Sequence, residues 1–126
     1  MDDVRFTPRE LDVMGVLWDK GPSTVADVQA ALEDRLAYTT VLTILRVLEE
    51  KGSVTHTAEG RAHRYQAVVE RQVAGSSALR RVRDRLFSGS PELLLTRLVE
   101  DEDLSDEELR RMRDLLEQRL GEGDRS

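Results

Sequence analysis

The sequence predicts a mainly α-helical chain interrupted once by a small β-hairpin. Apolar residues, mostly Leu, Val and Ala, recur every three or four positions along most of the chain, the period of an amphipathic helix. One stretch, Ser53 to Val68, instead alternates around a Gly-containing turn, the period of a strand pair. The 126 residues include no cysteine, and no apolar run approaches the roughly 20 residues of a membrane span. The fold must therefore rest on a packed core rather than on disulfides or lipid.

Each element has a local cause. Thr7-Pro8-Arg9-Glu10 reads as a helix start, with Thr7 as cap, Pro8 at the first helical position and Glu10 closing a capping box. Leu11, Met14, Leu17 and Trp18 follow as its stripe, and Gly21-Pro22 stops it. A second, short helix is expected from Ser23 or Thr24 to about Asp34 or Arg35, with Val25, Val28 and Leu32 inward. Thr39 or Thr40 is the expected cap of a third helix that ends at Lys51-Gly52. On that helix Val41, Ile44, Leu45 and Leu48 share one side, while Thr39, Thr43, Arg46 and Glu50 share the other, with Thr40 and Leu42 on the flanks. Ala58-Glu59-Gly60-Arg61 reads as the hairpin turn, with Arg61 at its tip and His63 and Arg64 beside it.

From Glu70 the pattern is helical again. Gly75-Ser76-Ser77 is a weak point, Ser88-Gly89-Ser90-Pro91 a break, Pro91 to Val99 a short helix, and Ser105-Asp106-Glu107-Glu108 a second capping box. The tail from Gly121 is expected to fray. Three apolar stripes remain: Leu79, Val82, Leu86 and Phe87; Leu94, Leu95 and Leu98; and Leu109, Met112 and Leu116. These helices are too few to bury their stripes alone, so pairing with a second copy about a two-fold axis is the expected solution. The chain thus divides into residues 1–69, with their own core, and a helical dimerisation domain over 70–126.

Charge narrows the function classes. The net charge of −6 argues against nucleic-acid binding if it is evenly spread. It is not evenly spread. Arg35 to Tyr65 holds five basic residues (Arg35, Arg46, Lys51, Arg61, Arg64) against three acidic ones (Glu49, Glu50, Glu59), a local +2. Glu100 to Glu108 holds seven acids and no base, and is expected to be a solvated stretch away from any nucleic acid. No Ser/His/Asp or Cys/His set and no phosphate-cradling Gly-rich loop occurs, so no catalytic residue and no cofactor are expected. His56, His63 and Glu59 are metal-ligand types, but on an exposed hairpin a solvated histidine pair is the better reading, and no metal is predicted. The acidic start Met1-Asp2-Asp3, with no apolar stretch after it, gives no signal peptide, and the expected location is cytoplasmic, with no membrane partner.

Three helices followed by a hairpin with a basic tip is the order of a winged helix-turn-helix, whose third helix enters the major groove of double-stranded DNA. Thr39, Thr40 and Thr43 are small enough for close approach, and Leu42 can touch thymine methyls. Arg46 can reach a guanine edge or a phosphate, while Arg61, His63 and Arg64 suit the backbone. Each has a plainer alternative. The threonines can simply cap, Arg46 can pair with Glu49 or Glu50 along the helix, and Arg61 can be a solvated charge. A winged helix can also serve as a protein-interaction adaptor without sequence-specific DNA binding.

From Leu11 to about Leu116 the chain resembles the penicillinase repressor (BlaI/MecI/CopY) family of bacterial transcriptional regulators. The residues that carry the resemblance are Glu10-Leu11-Asp12-Val13-Met14 with Leu17-Trp18, Thr24-Val25-Ala26-Asp27-Val28, Ala37-Tyr38-Thr39-Thr40-Val41, Lys51-Gly52, and the wing Gly60-Arg61-Ala62-His63-Arg64-Tyr65. Further on come Leu86-Phe87-Ser88-Gly89-Ser90 and Leu104-Ser105-Asp106-Glu107-Glu108-Leu109. The resemblance implies a winged-helix DNA-binding domain, a C-terminal dimerisation domain, and a homodimer that represses transcription from a palindromic promoter operator. It departs from the family where the recognition-helix arginine falls at Arg46 rather than at the position of Val47. Thr96-Arg97-Leu98 stands where β-lactam-sensing members have a cleaved Asn-Phe bond, and the C-terminal cysteine cluster of copper-responsive members is missing. The sequence names neither an inactivating protease nor a small-molecule inducer.

Overall fold

The computed structural model describes residues 4–124. The elements, in order, are α1 (Pro8–Lys20), β1 (Ser23–Thr24), α2 (Val25–Ala31), α3 (Tyr38–Glu50), β2 (Val54–Glu59), β3 (Ala62–Ala67), α4 (Arg71–Leu86), α5 (Pro91–Asp101) and α6 (Asp106–Asp124). They fall into two compact units that divide after Arg81, inside α4 rather than at its start.

The first unit is built on one apolar cluster. Val13, Met14 and Leu17 of α1, Val28 of α2, Val41, Leu45 and Leu48 of α3, Val54 of β2 and Tyr65 of β3 are all at most 2% exposed. Burying three residues of α3 at this spacing fixes the rotation of the helix about its own axis. The α1 stripe is rotated from the expected one. Leu11 is exposed at the surface, and Glu10 is buried in its place beside Val13 and Met14.

The caps explain where helices begin. Thr7 and Glu10 form the expected box on α1, and Thr24 forms a second with Asp27 on α2. α2 stops at Ala31, earlier than expected, because Leu32 turns extended to reach the core and Gln29 donates to the Leu36 carbonyl. α3 starts earlier than expected. Its N-cap is Ala37, with no side-chain cap, which places Thr39 and Thr40 inside the first turn rather than at the cap.

The sheet has three strands rather than a hairpin's two, in the order β1-β3-β2, all antiparallel. Ser23 pairs with Tyr65 and Thr24 with Arg64, so the α1–α2 connection clasps the wing. The β2–β3 turn is the two residues Gly60-Arg61, and Gly60 has φ +62°, the left-handed value that a tight hairpin needs at its first central position.

Within the same unit the start of α4 packs back. Trp18 Nε1 donates to the Val69 carbonyl at 2.8 Å, Arg71 bonds Asp19 at 2.6 Å, and Arg81 donates to the Val4 carbonyl at 2.7 Å. Ala74 and Ser77 are buried, and the helix runs unbroken through Gly75, so the expected weak point is no break.

The second unit contains the end of α4, α5 and α6. Ser88 and Gly89, both at positive φ, make the break, and Ser90 caps α5. Ser105 and Glu108 form the expected capping box on α6, which continues as helix through Gly121 to Asp124. The apolar stripes are largely uncovered: Val82, Leu86, Leu95, Leu98, Leu109 and Leu116 are exposed, and Phe87, Leu94 and Met112 are half-buried. Among the described residues no helix is long and apolar enough to cross a membrane.

Glu10 is the charged residue of the core's edge. It is 6% exposed, and Oε1 accepts from the Thr7 backbone N–H at 2.8 Å and from Lys51 Nζ at 2.6 Å. Burial pushes its carboxyl up, but the Lys51 bond and charge together with the Thr7 bonds outweigh this and hold it below the usual Glu range. Glu10→Gln should therefore lower stability by about 1–2 kcal/mol near neutral pH. A lowered folded-state value means that this contribution is full above the unfolded-state value and is lost as pH falls through the folded one. Urea unfolding of both proteins from about pH 7 to about pH 3 should show the gap closing toward acid. A gap that does not change with pH would contradict the ion pair.

Candidate nucleic-acid interface

With Val41, Leu45 and Leu48 facing the core, the helical repeat turns Thr39, Thr43, Arg46 and Glu50 outward, and all four are exposed. Thr40 is exposed and Leu42 half-buried. Thr43 Oγ1 donates to the Thr39 carbonyl at 2.9 Å, so its hydroxyl proton is used inside the helix. What Thr43 offers outward is a methyl group and acceptor lone pairs.

The wing lies beside this face and encloses with it a cleft of about 310 Å³. Its walls are Tyr38, Leu42 and Arg46 from α3, Arg61, Ala62, His63 and Tyr65 from the wing, and Thr24, Val25 and Ala26 from the start of α2. Two guanidiniums line the cleft and no carboxylate does. Among the described residues, Arg46 and Arg61 enter no ion pair. A cleft of about 440 Å³ between α1 and the end of α2 has the opposite character, with Asp12, Asp19, Glu33 and Asp34 against a single arginine, Arg9.

The structure thus brings Leu42, Arg46, Arg61 and His63 together, with Thr39, Thr40 and Thr43 on the adjoining turns of α3. Arg64 does not join them. Along β3 successive side chains point to opposite faces, so His63 and Tyr65 share the α3 side and Arg64 takes the other. There its Nε donates to Glu59 at 2.8 Å, its Nη1 donates to the Pro22 carbonyl at 3.1 Å, and Asp27 lies 3.9 Å away. The Arg64 guanidinium holds the Glu59 carboxyl below its ordinary range, and Glu59 in turn holds Arg64 more firmly protonated. Asp27 is lowered chiefly by its bonds to Thr24, with Arg64 adding charge. Arg64 is a brace that ties the wing to the start of α2.

The plainer alternative for Arg46, a pair with Glu49 or Glu50 along the helix, is not formed among the described residues. Both Glu49 carboxylate oxygens lie against His56 Nδ1 of β2, at 2.9 and 2.7 Å. The His56 ring stacks on His63 with centroids 4.3 Å apart, and Tyr65 lies tilted at 5.2 Å. Burial pushes the Tyr65 phenol up, and the Glu49 carboxylate adds to the shift. Tyr38, which is 49% exposed and lines the cleft, was not among the expected contacts. An aromatic directly before the threonines of a helix start was the available signal.

The model of the penicillinase repressor family matches residues 6–118. The chain belongs to the penicillinase repressor family. Curated relatives in two strains of Mycobacterium tuberculosis, CDC 1551 / Oshkosh and ATCC 25618 / H37Rv, are both named transcriptional regulator BlaI. Each is 42% identical over 103 residues, covering 76% of this chain and 72% of the relative. Among solved structures, a MarR family protein from Bacillus stearothermophilus aligns with a TM-score of 0.56 at 20% identity, over 97% of this chain and 78% of that one. BpsR of Bordetella bronchiseptica, described for regulation of its DNA binding by 6-hydroxynicotinic acid, aligns with a TM-score of 0.52 at 16% identity, over 94% and 82%. These two likenesses speak to the fold alone. The family and its named relatives are transcriptional regulators, not enzymes.

The two wing arginines should separate in a thermal melt. Arg64→Ala should lower the melting temperature, because it removes the brace among β2, β3 and the start of α2. Arg61→Ala should leave melting unchanged. Equal melting of both variants would contradict the division of roles.

Proposed function

We propose that this chain is a sequence-specific DNA-binding transcriptional repressor that acts as a homodimer on a palindromic promoter operator. The observation that carries the reading is the carboxylate-free cleft, in which unpaired Arg46 and Arg61 flank Leu42, Tyr38 and His63 on a protein of net charge −6. In a negatively charged chain such a cleft is a local positive strip, matched to a phosphate backbone. α3 is then the recognition helix. Arg46 reads a base edge, Thr43 and Leu42 present methyl groups to thymine, and Thr39 and Thr40 approach the backbone at the helix start. Arg61 and His63 hold the wing on phosphates, and Arg64 keeps the wing in shape. An adaptor would instead present a neutral or apolar α3 face, and the two free guanidiniums count against that reading.

The homodimer reading rests on the uncovered stripes of the second unit and on family membership. Val82, Leu86, Leu95, Leu98, Leu109 and Leu116 are all exposed, as is Leu79 just before the division, a density of apolar surface that a lone chain does not leave in water. Pairing about a two-fold axis would set two α3 helices roughly one turn of DNA apart, or a multiple of it.

Fluorescence anisotropy with the chain's own promoter duplex tests the DNA reading. Affinity should fall linearly on a log–log plot against salt, and Arg61→Ala should reduce the slope by about 1 while weakening every sequence alike. Arg46→Ala should flatten the difference between promoter and unrelated DNA. Equal, salt-independent binding to all duplexes would contradict the reading. In sedimentation, the wild type should run as a dimer and Leu116→Asp as a monomer with weakened operator binding. A monomeric wild type with full operator affinity would overturn the dimer.

A further inference from the structure

Arg46 stands three residues before Glu49, a spacing at which helical ion pairs form. The pair is absent, and both Glu49 oxygens lie on His56 Nδ1 instead. His56 is fixed in turn. It lies opposite Tyr65 in the strand register and stacks on His63, ring planes 16° apart, so its donor nitrogen is aimed at the end of α3. Among the described residues, Glu50, four residues after Arg46, makes no ion pair with it either. Arg46 instead lines the cleft. A carboxylate that captured it would remove a base-reading donor and add negative charge to a surface that meets phosphates.

We propose that His56 is a positioning residue for recognition: by holding Glu49 on the wing, it keeps the Arg46 guanidinium free for a base edge. This rests on the DNA-binding reading above and names the side chain that sets its specificity. His56 touches no DNA in this account. It acts through Glu49 and then through Arg46, and the stack on His63 couples the same hold to the wing. The two histidine rings lie almost parallel, so their in-plane nitrogen lone pairs do not converge on one point, and the pair serves as a support rather than as a metal site.

The test is competition binding of the full chain to its promoter duplex and to an unrelated duplex of equal length at fixed salt, with a thermal melt of every variant. His56→Phe keeps a stacking ring and removes the donor. It should cut the ratio of the two affinities by about tenfold, the share of one good base contact. Adding Glu49→Gln to that variant should restore the ratio to within about twofold of wild type, because the carboxylate released by the loss of His56 is then neutral. His56→Asn, which keeps a donor near the Nδ1 position, should rescue as well. In an Arg46→Ala chain, His56→Phe should change the ratio no further. A folded His56→Phe with wild-type discrimination would overturn the proposal, as would a double variant that stays impaired. If His56→Phe does not fold, His56→Leu takes its place with the same expectations. A wild type that binds no duplex in a salt-dependent way would end the DNA-binding reading and this inference together. A wild type that binds, beside a His56→Phe chain that discriminates equally well, would end the inference alone.

Discussion

Complete burial of Val41, Leu45 and Leu48 is the constraint from which the candidate site follows. Moving any of the three into water would cost about 1.5–3 kcal/mol, a large share of the stability of a small unit. α3 therefore has no freedom to roll. Once its inner side is set, successive residues at 100° intervals fall where geometry puts them, and Thr39, Thr43 and Arg46 have nowhere to go but outward. The core thus does the work of aiming the outer face.

The wing is held by equally specific means. Two residues, Ser23 and Thr24, add a third strand to the hairpin, and Arg64 bonds across the same junction. On the opposite face of the wing, His56 reaches the end of α3. A hairpin alone would be a marginal structure. Clasped on both faces, it becomes a fixed wall of the cleft, which is why Arg61 and His63 can share that cleft with Arg46.

Much of this was legible in the sequence, for reasons that are local. The Thr7–Glu10 and Ser105–Glu108 boxes, the α3 wheel and the switch from helical to alternating period each need only a few neighbouring residues. What escaped depended on distant ones. A two-residue strand has no period to detect, so β1 is visible only once Tyr65 lies beside Ser23. The start of α3 at Ala37 carries no capping side chain, so the nearest hydroxyls, Thr39 and Thr40, drew the boundary inward. The pairing of Glu49 with His56 rather than Arg46 needs the wing folded back on the helix. Arg64 is different, because alternation along Ala62 to Ala67 already sets it on the face opposite His63. The division of labour between two adjacent basic residues could have been read from the period alone.

The acidic remainder of the chain then has a consistent place. Within the first unit the cleft between α1 and α2 gathers carboxylates and the α3–wing cleft has none in its lining, while the chain as a whole stays acidic. Such segregation limits non-specific attachment to nucleic acid and leaves one surface competent for it. Titration of the isotope-labelled full chain with its promoter duplex, followed by amide chemical-shift changes, tests this most directly. The account predicts changes concentrated at Tyr38, Thr39, Thr43, Arg46, Arg61 and His63. Changes centred on Asp12, Glu33 and Asp34, with the α3–wing cleft silent, would contradict it.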